Sequence, residues 1–458
     1  MTGIYDFLAL VWLWVQRVGI GLAIAAALRL IFIIARKYYR YRKGLGGLVK
    51  RSPRRACGVV FGKTRSGRRV CSTEKREEHI LCIGSTGSMK TTGFLIPTLR
   101  AWTRSGTNYA FAADISNDIA VNVHTDHKRV IAVTGDYKGS HGGFKYDVLA
   151  AVDSADTAAE KNERLMNLSF ALIPEIAKDD TSKFYEDSSR SLLQASLIAF
   201  SDRLDFVPLC KQILSSSMEF LIDDISASGS ELAVSLVSDF EGMNEKTNAA
   251  TKQELNRAVS LFATNEVVAA AIGRGGVSPS DLENTSIFLV LDESNLALYA
   301  PLLRLVTATV LHYLTARPSQ YKSRIIVALD EFPQLRSDIS NLLMTVRKRR
   351  VRIIACLQSL PTLFDMFGRY KAQGMIDNFT LLTVMKCTDP DTQEWLSKKA
   401  GTYWHDERQY RYIEPSEFGY LEKDLILYHP RGFMRLKKTP YWKKTMISRL
   451  CSLLTGRR

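Results

Sequence analysis

The feature of this sequence that most constrains its fold is a short apolar run that leads directly into a loop of small residues. The run at 80–83 has the length and composition of a buried strand, and a helical pattern begins at Lys90 and Thr91. The small residues in between leave backbone N–H groups free to surround an anion, and the helix N-terminus adds its partial positive charge. This strand–loop–helix arrangement predicts a loop that binds phosphate groups.

The predicted phosphate-binding loop departs from its consensus at one position. Lys90 is expected to reach the β- and γ-phosphates of a nucleotide, and Thr91 is expected to hold Mg²⁺. The consensus has Gly where this sequence has Met89, so the Met89 side chain has to point away from the phosphates. A chance glycine-rich turn is the alternative interpretation. The predicted nucleotide-binding residues are Gly84, Ser85, Thr86, Gly87, Ser88, Met89, Lys90, Thr91 and Thr92.

A nucleotide site of this kind also needs a buried strand that ends in an aspartate. Two apolar runs qualify, because one ends in Asp292 and Glu293 and the other in Asp330 and Glu331. We choose the second pair, since the Phe-Pro dipeptide that follows it forces a sharp exit that would fix both acids at the strand end. Asp330 would then hold Mg²⁺, and Glu331 would activate the attacking water. The first pair would be only a polar strand end.

Short apolar, β-branched runs recur along the chain and alternate with helical patterns. Such alternation predicts an α/β fold with a mostly parallel sheet covered by helices. One of these runs ends in Gln358, whose amide suits sensing a γ-phosphate or orienting a water. The predicted strands are 79–84, 109–114, 129–133, 286–292, 324–330, 352–357 and 380–386.

The stretch 155–283 shows helical periodicity without a convincing strand, which predicts an all-α domain inserted between two halves of the α/β domain. Its helical patterns are 160–173, 184–200, 231–240 and 253–272. The predicted boundaries are 1–43 for a transmembrane anchor and basic flank, 44–154 for the first half of the nucleotide-binding domain, 155–283 for the all-α domain, and 284–458 for the second half of the nucleotide-binding domain with a basic C-terminal tail.

The net charge of +15 is concentrated at the two ends of the chain. Residues 1–55 and 431–458 together carry 20 of the 62 lysines and arginines, but one of the 47 acidic residues. The body at 56–430 is therefore slightly acidic, so contact with nucleic acid or anionic lipid has to rest on the ends or on local patches. We favour lipid for the N-terminal end, whereas the C-terminal end suits either. The seven cysteines form no CxxC pair, which argues against a disulfide framework.

The N-terminal apolar segment at 7–35 is long enough for one membrane span. A helix of about 20 residues crosses a hydrocarbon core of ~30 Å, and residues 15–34 fit that length. Basic residues at 36–43 follow at once, so the positive-inside rule places the bulk of the chain in the cytoplasm. An amphipathic helix on the membrane surface is the alternative interpretation.

Six segments of the sequence match motifs of one known family. They are HILCIGSTGSMKTTGFLIPTL at 79–99, YAPLLRL at 299–305, LDEFPQL at 329–335, LQS at 357–359, IDN at 376–378 and TDPDT at 388–392. Through them the chain, over about residues 56–445, resembles the coupling-protein ATPases of type IV secretion and conjugation, the VirD4/TraG group. Two features depart from that family: most members have two membrane spans, and after Asp114 they commonly have Pro-Lys-Gly-Glu rather than Ile-Ser-Asn-Asp.

The resemblance implies a RecA-like P-loop NTPase that works as a homo-hexamer on the bacterial inner membrane, with the all-α domain facing the substrate. It implies ATP and Mg²⁺ at the subunit interfaces, and Lys90, Glu331 and Gln358 as catalytic residues. It also implies a relaxase–DNA complex or secreted effector proteins as substrates, and inner-membrane subunits of the secretion channel as partners. The family usually supplies an arginine from the neighbouring subunit, and Arg347 stands at the matching place. A solvated or DNA-facing basic patch is the alternative for Arg347.

Two other functions stay open from the sequence. A nucleotide-regulated docking receptor that hydrolyses poorly is suggested by Met89. A chromosome or plasmid-partition DNA pump of similar core fold is the second, although the apolar N-terminal segment and the motif at 329–335 argue against it.

Overall fold

The computed structural model describes residues 12, 28–29, 31, 46–134, 143–175, 179–335 and 339–442. The predicted membrane span at 15–34 lies outside the described residues except for three positions. The basic C-terminal residues 443–458 lie outside them entirely.

One large sheet organises the described part of the chain. The strand bounds are β1 Val49–Arg51, β2 Val59–Lys63, β3 Arg69–Ser72, β4 Ile80–Ile83, β5 Asn108–Asp114, β6 Lys128–Val133, β7 Ser286–Leu291, β8 Arg324–Leu329, β9 Val351–Leu357, β10 Leu381–Val384, β11 Thr402–His405, β12 Arg408–Arg411, β13 Asp424–His429 and β14 Gly432–Lys437. Twelve of these strands form the sheet, in the order β1-β3-β2-β14-β13-β10-β4-β9-β8-β5-β7-β6, while β11 and β12 form a separate hairpin.

The centre of the sheet is parallel. From β10 through β4, β9, β8, β5 and β7 to β6, each neighbouring pair runs in the same direction. Every predicted strand corresponds to one of these, so the prediction of a mostly parallel sheet is confirmed. Residues of β4, β7 and β9 are buried throughout, because the faces of the sheet are covered by helices, and this is why they appear in the sequence as continuous apolar runs.

An antiparallel extension beside β10 is not predicted by the sequence pattern. β13 pairs with β10, and β14, β2, β3 and β1 continue outward from it. β14 is largely exposed or half-buried, and β1 has three residues. Short strands with partly polar faces, such as β14 and β1, give no continuous apolar run in the sequence. β2 and β13 are mostly buried and apolar, yet they are not among the predicted strands.

Helices lie in the connections between successive strands from β4 to β10, and one more follows β10. Their bounds are α1 Ile96–Trp102, α2 Asp118–Asn122, α3 Ala150–Asp153, α4 Ala158–Leu172, α5 Asp180–Phe200, α6 Phe206–Ser215, α7 Met218–Ser226, α8 Glu231–Val237, α9 Glu245–Thr264, α10 Glu266–Ala270, α11 Leu296–Ala316, α12 Ser340–Thr345, α13 Leu360–Phe367, α14 Arg369–Asp377 and α15 Pro390–Ala400. A π-helical turn, Thr91–Leu95, precedes α1.

The helical stretch after β6 differs from its predicted pattern in two respects. Helices α6 and α7 are not among the predicted helices, and one predicted helix is divided. The predicted helix at 253–272 is two helices, α9 and α10, because the chain breaks at Asn265. The Asn265 side chain accepts a hydrogen bond from the Val268 N–H at 3.0 Å and so starts the second helix.

Successive residues of the central strands pack into two cores on opposite faces of the sheet. Leu81 and Ile83 join the core that includes helices α4 to α10, whereas Ile80 and Cys82 join the core beneath α1. Strands from before and after the helical stretch interleave in one sheet, so two separate segments of the chain build it.

Helix α11 is, among the described residues, the one helix long and apolar enough to cross a membrane, with a hydropathy of 1.3 over its most apolar window. Leu302, Leu305, Val306 and Leu314 of this helix are buried in the core with the central strands. These contacts are those of a core helix.

Candidate nucleotide-binding site

The predicted phosphate-binding loop begins at the carboxyl end of β4, between the ends of β9 and β10. Its backbone is tied to both neighbours. The Gly84 N–H donates to the Leu357 carbonyl at 3.0 Å, and the Ser85 N–H donates to the Lys386 carbonyl at 2.8 Å. In open parallel sheets, ligands bind beyond the carboxyl ends of the strands. The loop therefore lies where this type of sheet places its ligands.

The loop has a compact turn that depends on glycine. A Cβ at Gly84 would lie 2.5 Å from Ser88 Oγ and 2.7 Å from Met385 Cβ, so no side chain fits there. Gly87 has a φ of +73°, in the left-handed region that glycine adopts without strain. The buried Ser88 hydroxyl has no hydrogen-bond partner among the described residues. The close packing at Gly84, the left-handed Gly87 and the unpaired Ser88 hydroxyl are properties of a loop whose backbone surrounds an anion.

Met89 replaces the consensus glycine but keeps the backbone conformation that glycine would have. Its φ is +72°, which costs a non-glycine residue about 1–2 kcal/mol. The Met89 Cβ faces the first helical turn, since a Cβ at Gly93 would lie 3.3 Å from it. Gly93 therefore leaves the room that Met89 needs, and the loop keeps its shape at the expense of local strain.

Lys90, Thr91 and Asp330 converge at the mouth of the loop. The Lys90 ammonium donates to the Gly84 carbonyl at 2.7 Å. The Thr91 hydroxyl lies 2.8 Å and 3.1 Å from the two carboxylate oxygens of Asp330. A hydroxyl and a carboxylate oxygen are the types of donor that Mg²⁺ binds. The structure thus brings together the residues that the sequence predicts for phosphate and metal.

The competing acid, Asp292, lies away from the loop. Its strand, β7, is separated from β4 by β9, β8 and β5, whereas β8, which leads to Asp330, is separated by β9 alone. The Asp292 carboxylate accepts hydrogen bonds from the N–H and the hydroxyl of Ser294, at 3.0 Å and 2.8 Å. Asp292 therefore caps its own turn.

Glu331 is half-buried beside this group. Burial raises the pKa of Glu331 to about 7, and the charge of Asp330 adds to the rise, while Lys90 and a hydrogen bond with Gln358 oppose it. Gln358 Oε1 also accepts a hydrogen bond from the Thr86 hydroxyl at 3.4 Å. A carboxyl group that titrates near neutral pH next to a phosphate-binding loop has the properties of a general base.

One cavity of about 450 Å³ connects these residues. That volume lies within the usual range of small-molecule sites. The loop from Thr86 to Thr92 lines it together with Asp330, Glu331 and Gln358. Gly84 and the Ser85 backbone hold the loop to the neighbouring strands.

Arg347 is the predicted site residue that lies elsewhere. It precedes β9, and its guanidinium Nη2 donates to the Asn378 carbonyl and, at 3.2 Å, to the Thr380 hydroxyl, both just before β10. Burial and the charge of Arg347 lower the pKa of His79, the residue before β4, to about 4. Arg347 therefore lies at the amino ends of these parallel strands, opposite to the edge that carries the phosphate-binding loop.

Three residues near the cavity are not among the predicted site residues. Asp114, at the end of β5, is fully buried, and burial raises its pKa to about 7, with Asp330 adding to the rise. Lys438 donates to the Ser88 carbonyl at 2.9 Å, and Trp442 lines the cavity. The position of Asp114 at the end of an apolar run was an available signal. Lys438 and Trp442 carry no such signal in the sequence, because they lie far along the chain from the loop.

Comparison with solved structures identifies the fold of this chain. The plasmid coupling protein TrwB in complex with ADP and Mg²⁺ superposes with a TM-score of 0.69 at 18% identity, covering 86% of this chain and 92% of that one. VirB4 of Thermoanaerobacter pseudethanolicus superposes with a TM-score of 0.52 at 14% identity, covering 84% and 98%. The chain has the RecA-like P-loop NTPase fold.

Sequence comparison extends this likeness. Protein VirD4 of Agrobacterium fabrum (strain C58) is 21% identical over 456 residues, covering 87% of this chain. The chain spans 64% of the length of that relative. A family model described as type IV secretory system conjugative DNA transfer matches residues 35–417. Because this match covers most of the sequence, the chain belongs to the type IV secretory system conjugative DNA transfer family.

Proposed function

We propose that this chain is an ATP hydrolase that couples the recruitment of a substrate to its transfer through a type IV secretion or conjugation channel. The observation that supports it most is the convergence of Lys90, Thr91, Asp330 and Glu331 on one cavity at the carboxyl edge of the sheet. Membership of the conjugative DNA transfer family supports the transfer part of this proposal.

The residues of the cavity fit ATP and Mg²⁺. Gly84 has no room for a side chain, and Ser88 offers an unpaired buried hydroxyl beside the turn. Thr91 and Asp330 offer oxygen donors on facing elements, 2.8 Å apart. The similar protein TrwB has been solved with ADP and Mg²⁺, which is consistent with this assignment.

Each side chain has one task in the proposed reaction. Lys90 would neutralise charge on the β- and γ-phosphates, and Thr91 with Asp330 would hold Mg²⁺. Bound Mg²⁺ would stabilise negative charge that develops on the phosphate oxygens. The Glu331 carboxylate accepts a proton from the attacking water, and Gln358 orients that water or senses the γ-phosphate.

The proposed partners follow from the family. The substrate would be a relaxase–DNA complex or a secreted effector protein, delivered to inner-membrane subunits of the channel. We propose a homo-hexamer held on the bacterial inner membrane by a single span at 15–34, with the body in the cytoplasm. The basic residues at 36–43 support that orientation and contact with anionic lipid.

The 458-residue chain in detergent offers the direct test of this function. Phosphate release from ATP is measured with and without single-stranded DNA, and a Lys90→Ala preparation supplies the background. We expect release that requires Lys90 and rises when DNA is added. If the unsubstituted chain and Lys90→Ala release phosphate at the same rate, this cavity is not the site of ATP hydrolysis. Co-purification from membranes then distinguishes a relaxase with its DNA from a secreted protein as cargo.

A docking receptor with weak hydrolysis is the second candidate, and Met89 is the observation that favours it. The residue holds a strained φ of +72° at a position where the consensus has glycine, and it borders the cavity. A loop that carries strain and a side chain at this position would bind nucleotide but turn it over slowly.

Met89→Gly distinguishes the two candidates. We expect kcat to change by less than about fivefold, because Met89 already has the backbone conformation of a glycine. The substitution relieves strain worth about 1–2 kcal/mol, and the conformational entropy that glycine loses on folding partly offsets this gain. Steady-state ATPase assays measure the change. Glu407→Gly relieves a similar φ of +62° at the tip of the β11–β12 hairpin and serves as the matched control. A gain of a hundredfold or more for Met89→Gly alone would favour the receptor.

A further inference from the structure

The chain that follows β14 returns to the phosphate-binding loop. We name residues 438–442 the C-terminal strap. Its first residue, Lys438, is 5% exposed, and its ammonium donates to the Ser88 carbonyl at 2.9 Å and to the Leu421 carbonyl at 2.7 Å. A buried lysine is costly unless its donors are used. The strap is therefore fixed to the loop at this end by specific contacts.

The other end of the strap is fixed to the helical turn that follows the loop. The Tyr441 N–H donates to the Thr92 carbonyl at 3.1 Å. The guanidinium of Arg100 lies over the Tyr441 ring, 4.9 Å from its centroid. Between these two ends, Thr439 is 4% exposed. The strap thus lies along the same loop and helical turn that carry Lys90 and Thr91.

Trp442 is the residue of the C-terminal strap that lines the cavity. Its ring and the Tyr441 ring form a T-shaped contact, with centroids 5.2 Å apart and an angle of 80° between the planes. Trp442 is still 52% exposed, and it lines the cavity together with Lys90 and Thr91. Among the described residues that line this cavity, it is the one aromatic side chain.

A nucleotide bound by the loop has a flat base as well as phosphates. Lys90 and Thr91 account for the phosphate end, so the sugar and base have to extend past the loop into the rest of the cavity. A half-exposed indole beside Thr92 offers a flat apolar surface in that space, and stacking of a base on an aromatic ring is a sequence-tolerant contact. The other apolar side chains that line the cavity, Met89, Ile115 and Leu296, have no planar ring.

We propose that Trp442 binds the base of the nucleotide by stacking, so that the C-terminal strap completes the nucleotide site. This inference rests on the proposed function, because it needs a nucleotide in the cavity. It makes Trp442 a binding residue from the end of the described chain, at a position that the loop motif does not include. Because stacking uses the face of the ring, we expect ATP and GTP to depend on Trp442 to the same extent.

The test separates binding of the base from binding of the phosphates. Calorimetric titration of the 458-residue chain in detergent compares Mg²⁺-ATP with Mg²⁺-tripolyphosphate, which has phosphates but no base. We expect Trp442→Ala to weaken ATP binding by roughly tenfold, the size of one stacking contact, and to leave tripolyphosphate binding unchanged. Trp442→Phe, which keeps a flat ring, should retain most of the ATP affinity.

Trp404→Ala is the matched control, since Trp404 is 71% exposed on β11 and does not line the cavity. It should change neither affinity. If Trp442→Ala binds ATP as tightly as the unsubstituted chain, the stacking inference is overturned, but the proposed function is not. Equal weakening of ATP and tripolyphosphate would also overturn the stacking inference, because Trp442 would then support the loop rather than the base. Absence of ATP binding by the unsubstituted chain would overturn the proposed function as well.

Discussion

Glu331→Gln is expected to lower kcat for ATP hydrolysis by roughly 100- to 10,000-fold, the usual contribution of a positioned general base. Glutamine keeps the shape of the side chain and its contact with Gln358, but it cannot accept a proton from water. Nucleotide affinity should change little, because Lys90, Thr91 and Asp330 remain in place. Single-turnover hydrolysis and calorimetric binding of ATP measure the two effects separately.

Asp292→Asn provides the control for this prediction. Asp292 also ends a buried parallel strand, but it caps its own turn and lies on a strand further from the loop. We expect its substitution to leave kcat unchanged. Full activity in Glu331→Gln, or a loss confined to Asp292→Asn, would show that the catalytic acid was assigned to the wrong strand.

The pH profile gives a second signature of Glu331. Burial raises its pKa to about 7, and only the ionised carboxylate can act as a base. We therefore expect kcat/KM, which reports the free enzyme, to rise as the pH increases through about 7. In Glu331→Gln the remaining activity should lose this rise. A profile that keeps the same slope in the variant would assign the titration to another group.

The central sheet and its loop were predictable because burial imposes a strong pattern on the sequence. Parallel strands covered on both faces have to be apolar at nearly every position, and β4, β7 and β9 have this property. The choice of Asp330 over Asp292 was predictable for a local reason. Phe332 and Pro333 turn the chain sharply at the strand end, and Phe332 is fully buried, stacked 6.4 Å from Phe367.

Other features of the site depend on tertiary contacts that leave no local pattern. Trp442 comes close to Thr92 only because β14 ends beside the loop, and sheet order alone makes Asp114 a neighbour of Asp330. A basic C-terminal stretch looks like a solvated tail in the sequence, so the burial of Lys438 could not be anticipated. Met89 is an intermediate case, because the departure from consensus was visible while the compensating Gly93 was not.

The position of Arg347 restricts what it can do. It lies at the amino ends of β4, β9 and β10, while the loop lies at their carboxyl ends. Four residues of a parallel strand span roughly 13 Å, so Arg347 cannot contact phosphates in the cavity of its own chain. If it acts in catalysis, it has to act on the cavity of a neighbouring subunit. Its Nε has no hydrogen-bond partner among the described residues, so the guanidinium is not fully engaged where it lies.

Arg347→Ala is accordingly expected to lower kcat by roughly 1,000- to 100,000-fold, the usual contribution of an arginine supplied by a neighbour, and to leave ATP binding to the isolated subunit unchanged. The exposed Lys348, next in the same basic cluster, gives the control Lys348→Ala, for which kcat should be unaffected. Steady-state ATPase activity of the assembled protein measures both.

Mixing two inactive variants tests whether Arg347 works in trans. Arg347→Ala subunits keep Lys90 and Glu331, and Glu331→Gln subunits keep Arg347, so a complete site forms wherever the first lies beside the second in the right order. In a head-to-tail ring that contains equal amounts of the two variants, roughly a quarter of the interfaces have that order. ATPase activity should recover in proportion to the number of these interfaces. An arginine that only anchors Asn378 and Thr380 would instead lower the thermal stability of Arg347→Ala, and mixing would recover nothing. An arginine in a solvated patch would leave the activity of the single variant intact.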